Sequence, residues 1–163
     1  MRPVIVADAG PLIALSKIGQ IELLNVLFEH VHIPAKVLFE AAGNSALAGA
    51  TAVRTFAETF GVIHDDRDSE FVQLLQKEVD AGEAQAIALA RELGCSVLID
   101  DRVGRSVAKR FALPVIGVVG VLLQSKRSGH IASVRPFLDA LTQARYHVKR
   151  ELIDEALRLA GEQ

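Results

Sequence analysis

Several residue types that common kinds of binding and catalysis require are scarce in this chain. There is no tryptophan and a single tyrosine among 163 residues, which disfavours recognition of nucleic-acid bases by aromatic stacking platforms. The single cysteine, Cys95, excludes an internal disulfide and fits a reducing cytoplasm. The five histidines are scattered, so no Cys/His cluster suggests a zinc site.

Long hydrophobic runs are also missing, although half of the residues are hydrophobic and the mean hydropathy is +0.30. No run approaches the roughly 20 residues that a membrane-spanning helix needs. The first residues lead into a strand pattern and do not resemble a signal peptide. We therefore expect a cytoplasmic protein without a membrane segment. The high apolar content is also compatible with a surface patch for homo-oligomers.

Two common nucleotide-binding motifs are absent: a Gly-x-Gly-x-x-Gly turn after a strand and a Gly-Lys-Ser/Thr P-loop. The net charge is -2 and the pI about 6.2, whereas proteins that bind nucleic acid are often basic overall. Carboxylates reserved for metal ions would add negative charge, and the basic residues are locally clustered. The overall charge therefore does not exclude a nucleic-acid ligand.

Short, wholly apolar strand patterns alternate with helical patterns along the chain. This alternation is typical of a parallel sheet with both faces covered, and it predicts an α/β fold, a three-layer α/β/α sandwich around a short central parallel sheet. We find no repeat, low-complexity segment or linker, so one domain is expected over 1–163. Strands are predicted at 3–7, 31–33, 62–64, 96–99 and 114–116. Helices are predicted between them, including one that starts at Pro11 and one over 71–79. Three final helices are predicted near 118–126, 134–144 and 151–160.

Acidic residues occur where predicted strands end or helices begin. Asp8 follows the first strand, the pair Asp100 and Asp101 follows the strand at 96–99, and Glu83 begins the helix before that strand. Since the carboxyl ends of parallel strands converge on one crevice, these acids are expected to meet there. Clustered carboxylates repel one another unless a cation is present, and hard oxygen ligands select Mg²⁺ or Mn²⁺. The pattern indicates metal-assisted chemistry on a phosphate ester.

Each acid also has a structural interpretation. Asp8 could cap the following helix, and Asp80-x-x-Glu83 has the form of a capping box. Glu40 lies late in a short helix predicted from Pro34, where spacing alone favours a solvated face.

The acidic pair Asp100 and Asp101 raises a separate question of orientation. Adjacent residues of a strand point to opposite faces, so at most one of the two should face the crevice unless the strand has already turned. The other would then cap the helix that begins near Arg102.

A basic group follows the acidic pair. Arg102, Arg105 and Lys109 are spaced by three and four residues, so they share one helix face and could contact backbone phosphates beside a metal site. A solvated helix face is the alternative interpretation.

Taken in order, these segments resemble the PIN domain superfamily, a metal-dependent nuclease fold that includes VapC-type toxins. The start of the chain, Val-Ile-Val-Ala-Asp8-Ala-Gly-Pro, is similar to the first motif of the family. The segment Pro34-Ala-Lys-Val-Leu-Phe-Glu40, the segment Gly82-Glu83-Ala-Gln-Ala and the strand end Leu98-Ile-Asp100-Asp101-Arg are similar to its later acidic motifs. The resemblance covers most of the chain and is nearest to a branch known only as predicted nucleic-acid-binding proteins.

The resemblance implies a fold, a site and partners. It implies a catalytic set of Asp8, Glu40, Glu83 and Asp101, with Asp8, Glu83 and Asp100 or Asp101 as ligands of Mg²⁺ or Mn²⁺, Asp101 being slightly favoured. Arg102 and Arg105 would steer the substrate phosphate. The implied substrate is single-stranded or structured RNA, the implied partner a small antitoxin, and the C-terminal helices at about 131–160 would be a family-specific extension.

Two departures from the family pattern support a rival hypothesis. Gly10 stands where many relatives carry a hydroxyl, and Ile99 stands where VapC-type relatives often have threonine. A PIN-like module that binds nucleic acid or protein with weak or no catalysis is therefore the alternative. A phosphatase with an aspartyl nucleophile is disfavoured, because it would need Asp-x-Asp after the first strand, where Gly10 stands.

Overall fold

The computed structural model describes residues 2–163 as alternating strands and helices. Five strands form a single sheet, and ten helices surround it within the described range. In chain order the elements are β1 (Val4–Ala7), α1 (Ala9–Lys17), α2 (Leu23–Leu27), β2 (His30–Pro34), α3 (Ala35–Ala42), α4 (Ala50–Phe60), β3 (Gly61–His64), α5 (Glu70–Leu75), α6 (Ala81–Leu93), β4 (Ser96–Leu98), α7 (Arg102–Arg110), β5 (Val115–Ile116), α8 (Val118–Arg127), α9 (Arg135–Gln143) and α10 (Arg150–Ala160).

All five strands are parallel, in the order β3-β2-β1-β4-β5. The central strand β1 pairs on both sides, with Val6 opposite His32 of β2 and Val97 of β4. Ile5, Val6 and Ala7 are completely buried, as expected for a strand covered on both faces. The structure confirms the predicted α/β/α sandwich, and the sheet order places the ends of β1 and β4 side by side.

Several boundaries differ from the sequence prediction, and three of the differences have a clear physical reason. Helix α1 begins at Ala9, two residues before Pro11, because Asp8 already has the extended backbone of an N-cap and proline is tolerated within a first turn. Helix α5 ends at Leu75 rather than near Val79, since tight turn bonds from Lys77 and Glu78 follow it. Strand β4 ends at Leu98, before the acidic pair.

The C-terminal helices are fastened to the domain by one carboxylate. Glu162 accepts hydrogen bonds from the backbone N–H groups of Val134 (2.8 Å) and Arg135 (3.1 Å). It also forms an ion pair of 2.9 Å with Lys126 at the end of α8. We call these contacts of Glu162 with Val134, Arg135 and Lys126 the Glu162 clasp; they join α8, the start of α9 and the segment after α10. By holding these helices, the clasp orients the α9–α10 connection, which reaches the carboxyl edge of the sheet.

No helix within residues 2–163 has both the length and the apolar character needed to cross a bilayer.

We predict that Glu162→Ala lowers the free energy of unfolding by about 1–3 kcal/mol, because two backbone donors and one ammonium lose their acceptor. Urea denaturation measures the change. Glu29→Ala, at an exposed position, is the control and should stay within about 0.5 kcal/mol of the parent. A clasp variant as stable as the control would show that the C-terminal helices do not depend on this contact.

Candidate active site

Asp8 lies directly after the central strand and is almost fully buried, with 6% of its surface exposed. Its backbone N–H donates to the carbonyl of Leu98 at 2.9 Å, which holds the ends of β1 and β4 together. The residue occupies the N-cap position of α1, but its side chain makes no capping hydrogen bond. Its Oδ1 atom has no hydrogen-bond partner among the described residues. The capping interpretation therefore does not account for this side chain.

Glu83 lies in the first turn of α6 and is 7% exposed. The expected capping box is present: the Glu83 N–H donates to Asp80 Oδ1 at 2.8 Å, and the Asp80 N–H donates to Glu83 Oε1 at 3.3 Å. The box uses only Oε1. Within residues 2–163, Oε2 is buried without a partner. One carboxylate thus caps a helix and still offers an oxygen atom to the site.

The acidic pair Asp100 and Asp101 divides its contacts between two helices. Asp101 caps α7, accepting from the Gly104 N–H at 2.8 Å. Asp100 accepts from the N–H of Val118, at the start of α8, at 3.2 Å, and from the hydroxyl of Tyr146 at 2.6 Å. Both carboxylates border the same cavity. Strand alternation does not separate them because β4 has already ended at Leu98.

Glu40, on α3, is solvent-exposed, as its spacing predicted, but it also lines the cavity. Its carboxylate lies against Gly82 at the start of α6, where a Cβ would overlap it. Gly104 in α7 similarly leaves room for Oε2 of Glu83. Residues without a side chain at these two helix starts therefore allow carboxylates to approach the backbone closely.

These elements enclose a cavity of about 390 Å³ at the carboxyl edge of the sheet. The site acids predicted from the sequence all border it. Three polar lining residues were not predicted as site residues: Asp80, Tyr146 and His147. The full lining is Asp8, Ala9, Gly10, Pro11, Glu40, Asp80, Glu83, Asp100, Asp101, Tyr146 and His147.

Asp8 and Glu83 hold their protons more strongly than isolated acids do. Burial raises the pKa of Asp8 to about 7, with a further contribution from the charges of Asp80, Glu40 and Asp101, and the N–H of Ala9 offsets only part of this. The pKa of Glu83 is also raised, first by burial and then by the nearby carboxyls of Asp80 and Asp101. Crowded, buried carboxyls of this kind are typical of functional sites.

A family model, DUF3368, described as a PIN domain, matches residues 4–162. The chain belongs to the PIN domain family. A solved PilT N-terminus domain protein, SSO1118, from the hyperthermophilic archaeon Sulfolobus solfataricus P2 is similar in fold. It matches with a TM-score of 0.50 at 16% identity and covers 75% of this chain and 92% of that one. No functionally curated protein matches the chain. PIN domains are generally metal-dependent nucleases.

The donor atoms of this PIN domain fit a hard divalent cation in type. All the predicted ligands are carboxylates, and two of them bury an oxygen atom, Asp8 Oδ1 and Glu83 Oε2, without a partner among residues 2–163. A cation bound by them would offset the burial and the repulsion that raise their pKa values. The described residues do not, however, place three Asp, Glu, His or Cys side chains in a ready-made ligand cluster. Donor chemistry and unsatisfied oxygen atoms, rather than a formed cluster, indicate the site.

The predicted basic residues border a second cavity of about 630 Å³ beside the acidic one. Arg102, Arg105 and Lys109 all line it, as their shared helix face predicted. The guanidinium of Arg105 donates to the carbonyl of Ile99 at 2.9 Å, which holds it next to the acidic pair.

Tyr146 is the clearest residue that sequence reasoning missed. It lies between α9 and α10, and its hydroxyl donates a hydrogen bond to Asp100. Gly10 lies close to this contact, because a Cβ built on Gly10 would be 3.7 Å from the hydroxyl oxygen of Tyr146. Burial, with the charge of Asp100, raises the pKa of Tyr146, so it stays a neutral donor. The only signal in the sequence was that it is the sole tyrosine.

We predict that the free energy of unfolding of the metal-free protein falls as the pH rises from about 5 to about 7. An aspartate in the unfolded chain loses its proton near pH 3.9, whereas folded Asp8 keeps it up to a pKa of about 7. The stability from this proton is complete below the unfolded pKa and gone above the folded pKa, with a slope of at most about 1.4 kcal/mol per pH unit. Urea denaturation in EDTA at several pH values measures it.

Asp8→Asn should remove this part of the slope, since an amide does not titrate. Asp139→Asn, at an exposed position on α9, is the matched control and should keep the slope of the parent. Equal slopes in the parent and Asp8→Asn would contradict the raised pKa.

Proposed function

We propose that this PIN domain is a divalent-metal-dependent endoribonuclease that hydrolyses phosphodiester bonds at the acidic cavity. The observation that carries the proposal is the pair of buried oxygen atoms, on Asp8 and Glu83, that lack partners among residues 2–163, in a cavity ringed by further carboxylates. Such buried acceptors are costly unless a ligand satisfies them, and a cation is the ligand that several carboxylates share. Mg²⁺ and Mn²⁺ suit oxygen ligands.

In this mechanism Asp8, Glu83 and Asp101 hold the cation, and Glu40 closes the rim of the site. A bound divalent cation would supply Lewis acidity, neutralising charge on the phosphodiester and favouring attack by water. A bond forms between phosphorus and the water oxygen, the bond to one nucleoside oxygen breaks, and that oxygen takes up a proton from solvent. Glu40 is a suitable acceptor for the proton released by the attacking water, because partial desolvation at the rim of the site and the charge of Asp80 raise its pKa.

The contacts of the acidic pair favour Asp101 as the ligand over Asp100. After burial, the charge of Asp101 contributes to the raised pKa of both Asp8 and Glu83, which favours it as their partner at a shared cation. The oxygen atoms of Asp100 instead accept hydrogen bonds from Val118 and Tyr146. We therefore assign Asp101 to the cation and Asp100 to the support of α8 and the C-terminal segment.

A binding module with little or no catalysis is the second candidate. It is favoured by the absence, within residues 2–163, of a ready three-ligand cluster, and by the protein contacts of Asp100. Membership of the PIN domain family, which includes VapC-type toxins, supports a small antitoxin as a partner of the nuclease.

We expect the pure protein to cut labelled RNA in Mg²⁺ or Mn²⁺ and not in EDTA. Asp8→Asn should lower the rate at least about 100-fold, because the buried ligand loses its charge. The measurement uses a mixed set of single-stranded and structured RNAs and DNAs, resolved by gel electrophoresis, with Asp139→Asn as the control that should cut at the rate of the parent. A folded protein that cuts nothing in either metal, or an Asp8→Asn variant that cuts as fast as the parent, would rule out the nuclease assignment.

Substitutions of Asp100 and Asp101 should differ in their effects on the cleavage rate and on stability. Asp101→Asn should lose cleavage at least about 100-fold yet stay stable, because asparagine also caps helices well. Asp100→Asn should retain most cleavage and lose about 1 kcal/mol of stability, because its contacts with Tyr146 and Val118 weaken. Cleavage rates and urea denaturation measure both effects. The reverse pattern would assign the cation to Asp100.

A further inference from the structure

The second cavity, of about 630 Å³, adjoins the acidic one. Four residues line both cavities and form the boundary between them: Asp100, Asp101, Tyr146 and His147. The volume lies within the range of about 300–1,000 Å³ that is usual for small-ligand pockets. A chain-like ligand whose phosphate occupies the acidic cavity would therefore place its neighbouring unit in this one.

Four cationic side chains line the second cavity: Arg102, Arg105, Lys109 and Lys149. Within residues 2–163, none of them forms an ion pair with a carboxylate. Elsewhere on the domain many cations are neutralised by a neighbour, as in the pairs Arg54–Glu58, Arg67–Glu92, Arg110–Glu78, Lys126–Glu162, Arg150–Asp154 and Arg158–Glu155. The positive charge at this cavity is therefore available to an anionic ligand.

Another part of the lining is apolar. Val118 and Val119 lie in the first turn of α8 and are buried, while Leu152 of α10 is 46% exposed and faces the same space together with Val148. A purely anionic ligand, such as free phosphate, would not bind more tightly through contact with this apolar surface. A ligand that combines an apolar plane with negative charge matches the lining as a whole.

We propose that this cavity is a nucleotide subsite for the residue adjacent to the scissile phosphate of a single-stranded nucleic acid. The base would pack on the apolar surface of Val148 and Leu152, and the phosphate would contact Arg102 and Lys109. A single strand is required because a base must be unstacked and unpaired to enter a pocket. The assignment deepens the proposed nuclease function and rests on it for the orientation of the strand.

RNA binding, measured under conditions without cleavage, tests the cationic part of the cavity lining. A short fluorescent single-stranded RNA is titrated in EDTA against Asp8→Asn protein, with and without Arg102→Ala and Lys109→Ala, by fluorescence anisotropy. We expect the protein that also carries Arg102→Ala and Lys109→Ala to bind this RNA at least about tenfold more weakly than its background. The slope of log K against log salt concentration should become shallower by about 0.7 for each lost phosphate contact. Lys77→Ala with Arg127→Ala, two exposed cations outside the cavity, is the matched control and should bind like its background.

Two leucine variants on α10 test the apolar part of the cavity lining. Leu152→Ser should lower the preference for RNA over inorganic polyphosphate, whereas Leu159→Ser should not, although the two leucines are 46% and 47% exposed. Equal binding of polyphosphate and RNA by the parent would overturn the assignment of a base-binding surface. Tighter binding of an acidic peptide than of RNA would assign the cavity to a protein partner instead.

Failure of this subsite and failure of the nuclease are distinguishable. If the protein cuts RNA and the Arg102→Ala, Lys109→Ala variant binds and cuts like the parent, the subsite is wrong and the nuclease stands. If nothing is cut but that variant loses RNA binding with the expected change in salt dependence, the subsite stands and the catalytic assignment fails.

Discussion

The mutual repulsion of carboxylates crowded at one edge of the sheet is the constraint on which the site depends. Asp8 ends the central strand, and its backbone bond to Leu98 ties that end to β4, so the acids of two strands cannot move apart. Burial of Asp8 and Glu83 makes their charges costly, which is why the pKa of Asp8 rises to about 7 and that of Glu83 rises as well. A fold that keeps such a strained electrostatic arrangement is one that a cation can stabilise.

The surrounding helices make the crowding possible. Capping bonds at the starts of α6 and α7 use one oxygen each of Asp80, Glu83 and Asp101 and fix these side chains without neutralising them. Gly82 and Gly104 allow the carboxylates of Glu40 and Glu83 to lie against helix backbone. Structural and functional interpretations of the same acid are therefore not alternatives here, because a carboxylate has two oxygen atoms and each can have its own partner.

The C-terminal helices complete the site from the other side. The Glu162 clasp orients the connection between α9 and α10, and this connection brings Tyr146 to Asp100 and His147 to both cavities. The segment therefore separates a space rich in carboxylates from one rich in cations. That separation is what a phosphodiester strand requires: a place for the reacting phosphate and a neighbouring place for the rest of the nucleotide.

The sequence alone determined the α/β class, the strand positions and the acids at the strand ends, because hydrophobic periodicity and the alternation of apolar strands with helices are local patterns. It also predicted the capping box of Asp80 and Glu83 and the shared face of Arg102, Arg105 and Lys109. Only the tertiary structure decided that both Asp100 and Asp101 border the cavity, that Tyr146 binds Asp100 from 46 residues away, and that the cations adjoin an apolar pocket. These features depend on where β4 ends and how α10 docks, and contacts between distant segments leave no periodic trace in a single sequence.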